Sequence, residues 1–259
     1  MTEHIACETL GEILSPSQVN TYLTCPAKWY FRYLVGLSEP ATGALALGKA
    51  FHATLATNFR QKLATGCDLK PTEARGVFAR EWMLTSADAE LRDDEDADEL
   101  AATGEALTTA YISEIASSVQ PRAVEQPVTG EIATVKVRGI VDVLDVNGCV
   151  VDFKTASKRP NGVTTDHGLQ LTTYAMITPG ASGLCRLDTV TKTKTVQVIQ
   201  QTYDVGPDER RFAETLYPMV QDSIRDGIYP PHRSSPLCSR RHCGYWRECE
   251  REFGGHVTE

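Results

Sequence analysis

The sequence predicts an α/β protein: a mixed sheet flanked by helices, with helical segments ahead of the main strands. Three observations predict it. Apolar, β-branched runs at 132–146 and 149–156 are joined around Asn147-Gly148, a short-range hairpin signal. Helical periodicity fills 46–64, 71–87 and 98–118 before them. A helical stretch at 166–178 follows, and β-rich runs come after it, so strands and helices alternate.

Taken in order, Ser15 has the position of a helix N-cap. Pro16 follows at the first helical position, and Gln18 completes a capping box. Val19, Tyr22 and Leu23 form the apolar stripe of this helix. Cys25-Pro26 interrupts it, because proline disfavours helical backbone in the preceding residue. A second stretch, Ala27 to Leu34, carries aromatic residues with Lys28 and Arg32. After the three helical segments, strands are expected at 123–130, 132–146 and 149–156. Between Thr189 and Tyr203, two β-rich runs flank Lys192-Thr193-Lys194. Asp208 to Asp226 is a long amphipathic helix, and from Pro230 the tail is rich in proline, arginine and cysteine.

Bulk properties narrow the function. A chain of 259 residues with 41% hydrophobic content suits a soluble globular protein. No apolar run approaches the roughly 18–20 residues that span a bilayer. Met1 to Leu10 is too acidic, and its apolar run too short, for a signal peptide, so a cytoplasmic protein without a membrane partner is expected. Eight cysteines then argue for metal or iron–sulfur ligation rather than disulfides. The net charge is −8, of which Asp88 to Glu99 supplies −7: eight acids and Arg92. That run reads as a solvated helix face or a loop. Basic residues cluster elsewhere: Lys28 with Arg32, Lys158 with Arg159, and Arg240, Arg241 and Arg247 among the late cysteines. A local basic track can bind phosphates despite a negative total.

Chemistry concentrates in Gly139-Ile140-Val141-Asp142 and Val151-Asp152-Phe153-Lys154-Thr155. Adjacent buried carboxylates are costly unless something positive lies between them. Hard oxygen ligands suit Mg²⁺ or Mn²⁺. Lys154 shares a strand face with Asp152. The hairpin register decides whether the two aspartates can meet. A two-residue turn at Asn147-Gly148 sets Asp142 against Phe153 and splits the aspartates between faces. A three-residue loop, Val146-Asn147-Gly148, sets Asp142 against Asp152 and wants positive φ at Gly148. A polar-faced hairpin with a solvated lysine is the plainer alternative.

Gly-x-x-Asp, a hairpin and then Asp-Phe-Lys-Thr resemble the core of the PD-(D/E)XK nucleases, in their RecB-type iron–sulfur branch. Further segments are similar in the expected order. Ser15 to Pro26 resembles the opening helix with the first cluster cysteine, Cys25. Gly48-Lys49-Ala50-Phe51-His52 resembles the segment with a metal-binding histidine. Gln170-Leu171-Thr172-Thr173-Tyr174 resembles the Gln-x-x-x-Tyr motif. Cys238, Cys243 and Cys249 resemble the C-terminal cysteine trio. The resemblance spans about residues 14 to 253.

It implies a restriction-endonuclease-like mixed sheet with a helical N-terminal insertion and a C-terminal iron–sulfur-bound tail. One domain over 1–259 is expected, with N-terminal helices at 14–64, a helical insertion at 65–120, the nuclease core at 121–204 and the final helix and tail at 205–259. The resemblance assigns His52, Asp142, Asp152 and the carbonyl of Phe153 to Mg²⁺ or Mn²⁺. Lys154 would position or activate the attacking water. Gln170 and Tyr174, four apart on one helix face, would hydrogen-bond the scissile phosphate or orient Lys154. Cys25, Cys238, Cys243 and Cys249 would hold a 4Fe-4S cluster, with zinc as the rival metal. Cys67, Cys149 and Cys185 read as small apolar residues, and Cys7 as these or as a substitute ligand.

The expected activity is that of a metal-dependent DNA exonuclease in recombination, repair or phage DNA processing. Its partners would be single-stranded DNA or an end-containing duplex, and a recombination or replication protein. A CRISPR-adaptation-type nuclease working with an integrase complex is an alternative. A non-catalytic DNA-end-binding subunit is another, disfavoured by the intact Asp142, Asp152 and Lys154. The chain carries no Gly-x-x-x-x-Gly-Lys-Ser/Thr phosphate loop and is not expected to be a helicase itself.

Overall fold

The structure is a computed structural model that describes residues 11–92 and 94–258. Cys7 and the first ten residues lie outside the described part, as does Asp93 of the acidic run. The described chain divides into two compact units. The larger holds Ala41–Val128 and Ile140–Gly206, and the smaller holds the chain up to Pro40, Thr129–Gly139 and the chain from Pro207.

In the larger unit, β2 (Ala41–Thr42) precedes α3 (Gly43–Thr65), which Thr42 caps by accepting from Leu45 N–H at 3.2 Å. Next come α4 (Pro71–Ser86), β3 (Ala89–Glu90) and α5 (Ala97–Glu114). β2 and β3 form a small parallel pair that the sequence reading did not anticipate. The acidic run is neither one helix face nor one loop. It passes from β3 to the first turn of α5, where Asp96 caps Asp98 and Glu99, each at 2.9 Å, and acids suit a helix N-terminus.

The principal sheet follows. β4 (Pro121–Ile132) pairs with β5 (Val135–Asp145), and both strands have residues in each unit. β5 runs antiparallel to β6 (Val150–Ala156). α6 (Thr165–Ile177) crosses over to β7 (Leu184–Thr191), which lies parallel to β6 as a helical crossover allows. β8 (Val198–Asp204) closes antiparallel. The sheet is therefore mixed and helix-flanked, the restriction-endonuclease-like architecture.

β7 begins five residues before the expected run. Arg186 and Asp188 masked it, since charges break an apolar pattern. They form an ion pair at 2.8 Å on one strand face, and Tyr111 O–H donates to Asp188 at 2.7 Å. Phe59, Tyr111 and Phe153 form the aromatic centre of this unit's core, with the Phe59 and Phe153 rings stacked at 5.7 Å.

In the smaller unit, β1 (Ile13–Leu14) lies parallel to residues 136–137 of β5. α1 (Pro16–Thr24) starts with the expected capping box, and Cys25 ends it in extended backbone. α2 (Pro26–Trp29) continues into a wide π turn, Tyr30–Leu34. α7 (Pro207–Arg225) and α8 (Trp246–Phe253) complete the unit. Trp29 is fully buried and stacks on Tyr229 at 5.8 Å. Among the described residues, no helix is long and apolar enough to cross a membrane.

Candidate active site

The hairpin adopts the three-residue loop. Val143 faces Val151 and Leu144 faces Val150, a register that sets Asp142 opposite Asp152. Asp145 organises the turn. Its backbone exchanges bonds with Cys149 and Gly148, and its side chain accepts from Asn147 and Cys149 N–H at 2.8 and 2.9 Å. Gly148 takes φ +79°, and a Cβ there would stand 2.5 Å from the Gly180 carbonyl oxygen.

His52 reaches the site from α3. Leu47, Phe51, Leu55 and Phe59 bury the adjoining face of that helix in the core, and His52, at the edge of that face, lies against Phe153 and reaches Asp142. The His52 Nδ1 to Asp142 Oδ2 distance is 3.3 Å, and the same oxygen accepts from Phe153 N–H at 2.9 Å. Burial pushes the Asp142 carboxyl up, but His52, Lys154 and the Phe153 N–H together hold it below its ordinary value. Burial works against charge on His52, yet Asp142 outweighs it and raises the imidazole.

Asp152 is 2% exposed. Gln170 Nε2 donates to its Oδ1 at 3.0 Å and to Tyr174 Oη at 3.2 Å. Lys154 Nζ lies 2.5 Å from Oδ2, an ion pair without hydrogen-bond angles, so Oδ2 is a buried acceptor with no hydrogen-bond partner. Burial, opposed by Lys154 and assisted by Asp142, raises Asp152 to about 6. Burial likewise lifts Tyr174 to about 12, so its phenol stays protonated. Gln170 and Tyr174 share one face of α6, as their spacing requires, and Gln170 holds Asp152.

The sequence reading missed Glu125. This β4 residue has φ +48°, a strained backbone for a side-chain-bearing residue. Its carboxylate joins His52 and Asp142, with ligand atoms of all three within 4.8 Å of one another. Burial and then the Asp142 charge raise its pKa. A histidine with two carboxylates is a donor set for a divalent cation, and the buried Asp152 Oδ2 beside it fits the same need. The only sequence signal for Glu125 was an acid inside the strand before the hairpin, with no spacing to mark it.

The four proposed cluster cysteines all lie in the smaller unit and line one cavity of about 310 Å³. Cys25 comes from the α1–α2 junction, Cys249 from α8, and Cys238 and Cys243 from the loop before it. Cys25 Sγ accepts from His232 N–H at 3.4 Å. Burial pushes the Cys249 thiol up to about 11 and raises Cys243. Soft thiols facing one cavity suit iron–sulfur ligation. Cys149 and Cys185 are buried, as apolar residues should be, whereas Cys67 is exposed beyond the end of α3. The basic track is also less free than its sequence suggests. Lys28 pairs with Glu39 at 3.0 Å, while Arg240 and Arg247 each lie 4.6 Å from the Trp246 ring centroid.

Comparison with known proteins accords with this geometry. The family model for the PD-(D/E)XK nuclease superfamily, that of RecB-type nucleases, matches residues 13–250. The chain belongs to that superfamily, whose members are nucleases that use divalent metals. No curated protein matches the sequence. Among solved structures, the "Putative exonuclease" of Eubacterium rectale is similar over 90% of this chain and 89% of its own, with a TM-score of 0.61 and 12% identity. That likeness shows the fold. A second structure, SSO0001, aligns over 95% of this chain and 94% of its own at 11% identity, with a TM-score of 0.36.

Proposed function

We propose that this protein is a metal-dependent DNA exonuclease that hydrolyses phosphodiester bonds at DNA ends, with an iron–sulfur cluster as a structural staple. The observation that carries the reading is the convergence of His52 from α3, Glu125 from β4 and Asp142 from β5 beside the Asp152–Lys154 pair of β6. Exonuclease action and the cluster are supported by the resemblance to RecB-type nucleases, and the cluster also by the shared cavity of the four cysteines. A cytoplasmic setting accords with free thiols.

A bound divalent cation would supply Lewis-acid charge at the scissile phosphate and lower the pKa of water. His52, Glu125, Asp142 and Asp152 would hold it, with the Phe153 carbonyl as the further donor that the resemblance implies. Lys154 directs its ammonium to the Asp152 side of the site, where it orients the attacking water and offsets charge on the phosphate. Gln170 holds Asp152 in place, and Tyr174 provides a protonated phenol behind that amide. Cys25, Cys238, Cys243 and Cys249 would ligate the cluster.

The test uses anaerobically purified protein with Mg²⁺ or Mn²⁺ on end-labelled linear and closed circular DNA, single- and double-stranded. Loss of linear DNA with circles spared is expected. Equal cutting of circles would replace the exonuclease reading with an endonuclease, and no cutting at all would remove the activity. Iron and sulfide content on the same sample tests the cluster, and a colourless zinc protein would replace it.

A further inference from the structure

We propose that Gly48 is where a single strand of the substrate meets α3, the absent side chain making room for its sugar-phosphate backbone, which then runs along the helix past Lys49 and on to Arg60 as phosphate contacts. The proposal rests on the nuclease reading of the same site.

A glycine inside a helix weakens it and needs a reason. Packing supplies the reason at Gly104, where a Cβ would fall 1.9 Å from the Phe78 ring. At Gly48 a Cβ would meet only Thr155 Oγ1 at 3.9 Å, an ordinary contact. Gly76 of α4 also has open space, but it is exposed. Gly48 and Thr155 instead line a cavity of about 700 Å³ that also takes in Asp142 and Lys154. The protein does not use the space that Gly48 leaves, and that space adjoins the candidate metal ligands.

The α3 residues that line the same cavity agree. Lys49 and Arg60 are eleven residues apart, so they lie about 20° from alignment and about 16 Å apart along the axis. Ala53 and Ala56 fall on the line between them and keep it low, and all four residues line the cavity. Both cations are exposed, and neither has an ion pair among the described residues. The charge of Arg60 acts on Glu125, which places it near the metal-ligand group. A strand that leaves Gly48 along α3 would meet Lys49 first and Arg60 about three turns on, with His52 between them along the helix. Cavities of about 300–1,000 Å³ hold drug-sized ligands, which is the scale of one or two nucleotides and not of a base-paired duplex.

The experiment compares Gly48→Leu, Gly48→Gln and the double variant Lys49→Gln/Arg60→Gln with wild type. Melting temperature, Mn²⁺ affinity by calorimetry, and affinity for a labelled single-stranded oligonucleotide with Ca²⁺ are read on each, followed by cleavage with Mg²⁺. Both Gly48 variants should melt no lower than wild type and keep wild-type Mn²⁺ affinity. They should bind the oligonucleotide about 10–100-fold more weakly, the scale of an overfilled site. The double variant should lower the salt dependence of single-strand binding by about 1.4 in logarithmic slope, for two lost phosphate contacts. A folded Gly48→Leu or Gly48→Gln that binds and cuts the strand as wild type does overturns the proposal. An unchanged salt slope in the double variant overturns it as well, and decides the matter if neither Gly48 variant folds. Failure of the wild-type protein to cut any DNA would instead overturn the nuclease reading.

Discussion

Gln170 Nε2 donates to Oδ1 of Asp152 at 3.0 Å, joining α6 to a strand eighteen residues earlier. One oxygen of that buried carboxylate is thus fixed by an amide, while the other meets only the charge of Lys154. Gln170→Ala should free the carboxylate to turn. Partners that orient a ligand in this way are typically worth about 10–100-fold in metal affinity or activity. Cleavage by the variant should fall within that range while oligonucleotide affinity in Ca²⁺ changes little. Wild-type cleavage would mean that the amide has no orienting role.

Asp152→Ala and Lys154→Ala should each abolish cleavage while leaving folding and DNA binding largely intact. Asp152→Ala should also melt no lower than wild type without metal, because it removes a carboxylate whose charged form burial disfavours. Metal-dependent cleavage by either purified variant at the wild-type rate would take that residue out of the mechanism.

The raised pKa of Asp152 sets a pH dependence. Burial drives the shift, Lys154 opposes it and Asp142 adds to it, leaving a value of about 6. The unfolded carboxyl titrates near about 3.9. In metal-free protein this group's contribution to stability is complete below about pH 4 and is lost as pH rises through about 6. Protons and cation compete for the same oxygens. Mn²⁺ affinity should therefore weaken as pH falls through about 6, and the gain in melting temperature on adding Mn²⁺ should be larger at about pH 7.5 than at about pH 5.5. A pH-independent affinity across that interval would exclude proton competition at Asp152.

Glu125 combines a ligand position with unfavourable backbone. Glu125→Gly relieves a strain of about 1–3 kcal/mol and removes a carboxylate. The variant should melt at or above wild type without metal and bind Mn²⁺ at least about tenfold more weakly. Unchanged Mn²⁺ affinity would leave His52 and the aspartates as the ligand set without it.

Wild-type protein should be brown, with a broad absorbance near about 400 nm as expected for an iron–sulfur chromophore. Cys243→Ala should lose that colour and weaken both thermal stability and DNA affinity, with Mn²⁺ affinity retained. A cluster-free variant with unchanged melting temperature and DNA affinity would show that the four cysteines do not staple the fold.

Much of this architecture was legible because it is written in local spacing. The capping box at Ser15, the break at Cys25-Pro26 and the joint placement of Gln170 with Tyr174 are properties of a few consecutive residues. The hairpin was legible to one choice between two loops, and that choice stayed open because Gly148 with positive φ suits both. What escaped depended on distant partners. Arg186 and Asp188 disguised β7 because their charges are neutralised by each other and by Tyr111, 77 residues before Asp188. Glu125 escaped because a non-glycine residue with positive φ leaves no sequence mark. The two-residue strands 41–42 and 89–90 are too short to carry a period.

Gly148 has a further consequence for which parts of this chain can change length. Its carbonyl accepts from the Ser182 N–H at 2.8 Å and the Ser182 hydroxyl at 3.1 Å, so the hairpin loop is fastened to the segment that follows α6. One inserted residue at 146–148 would break that fastening and slide Asp142 past Asp152. Relatives that diverged by insertion should therefore have gained residues elsewhere, such as the exposed stretch around 158–162. A peptide tag or circular-permutation break belongs there, and the three-residue loop should keep its length in any functional descendant.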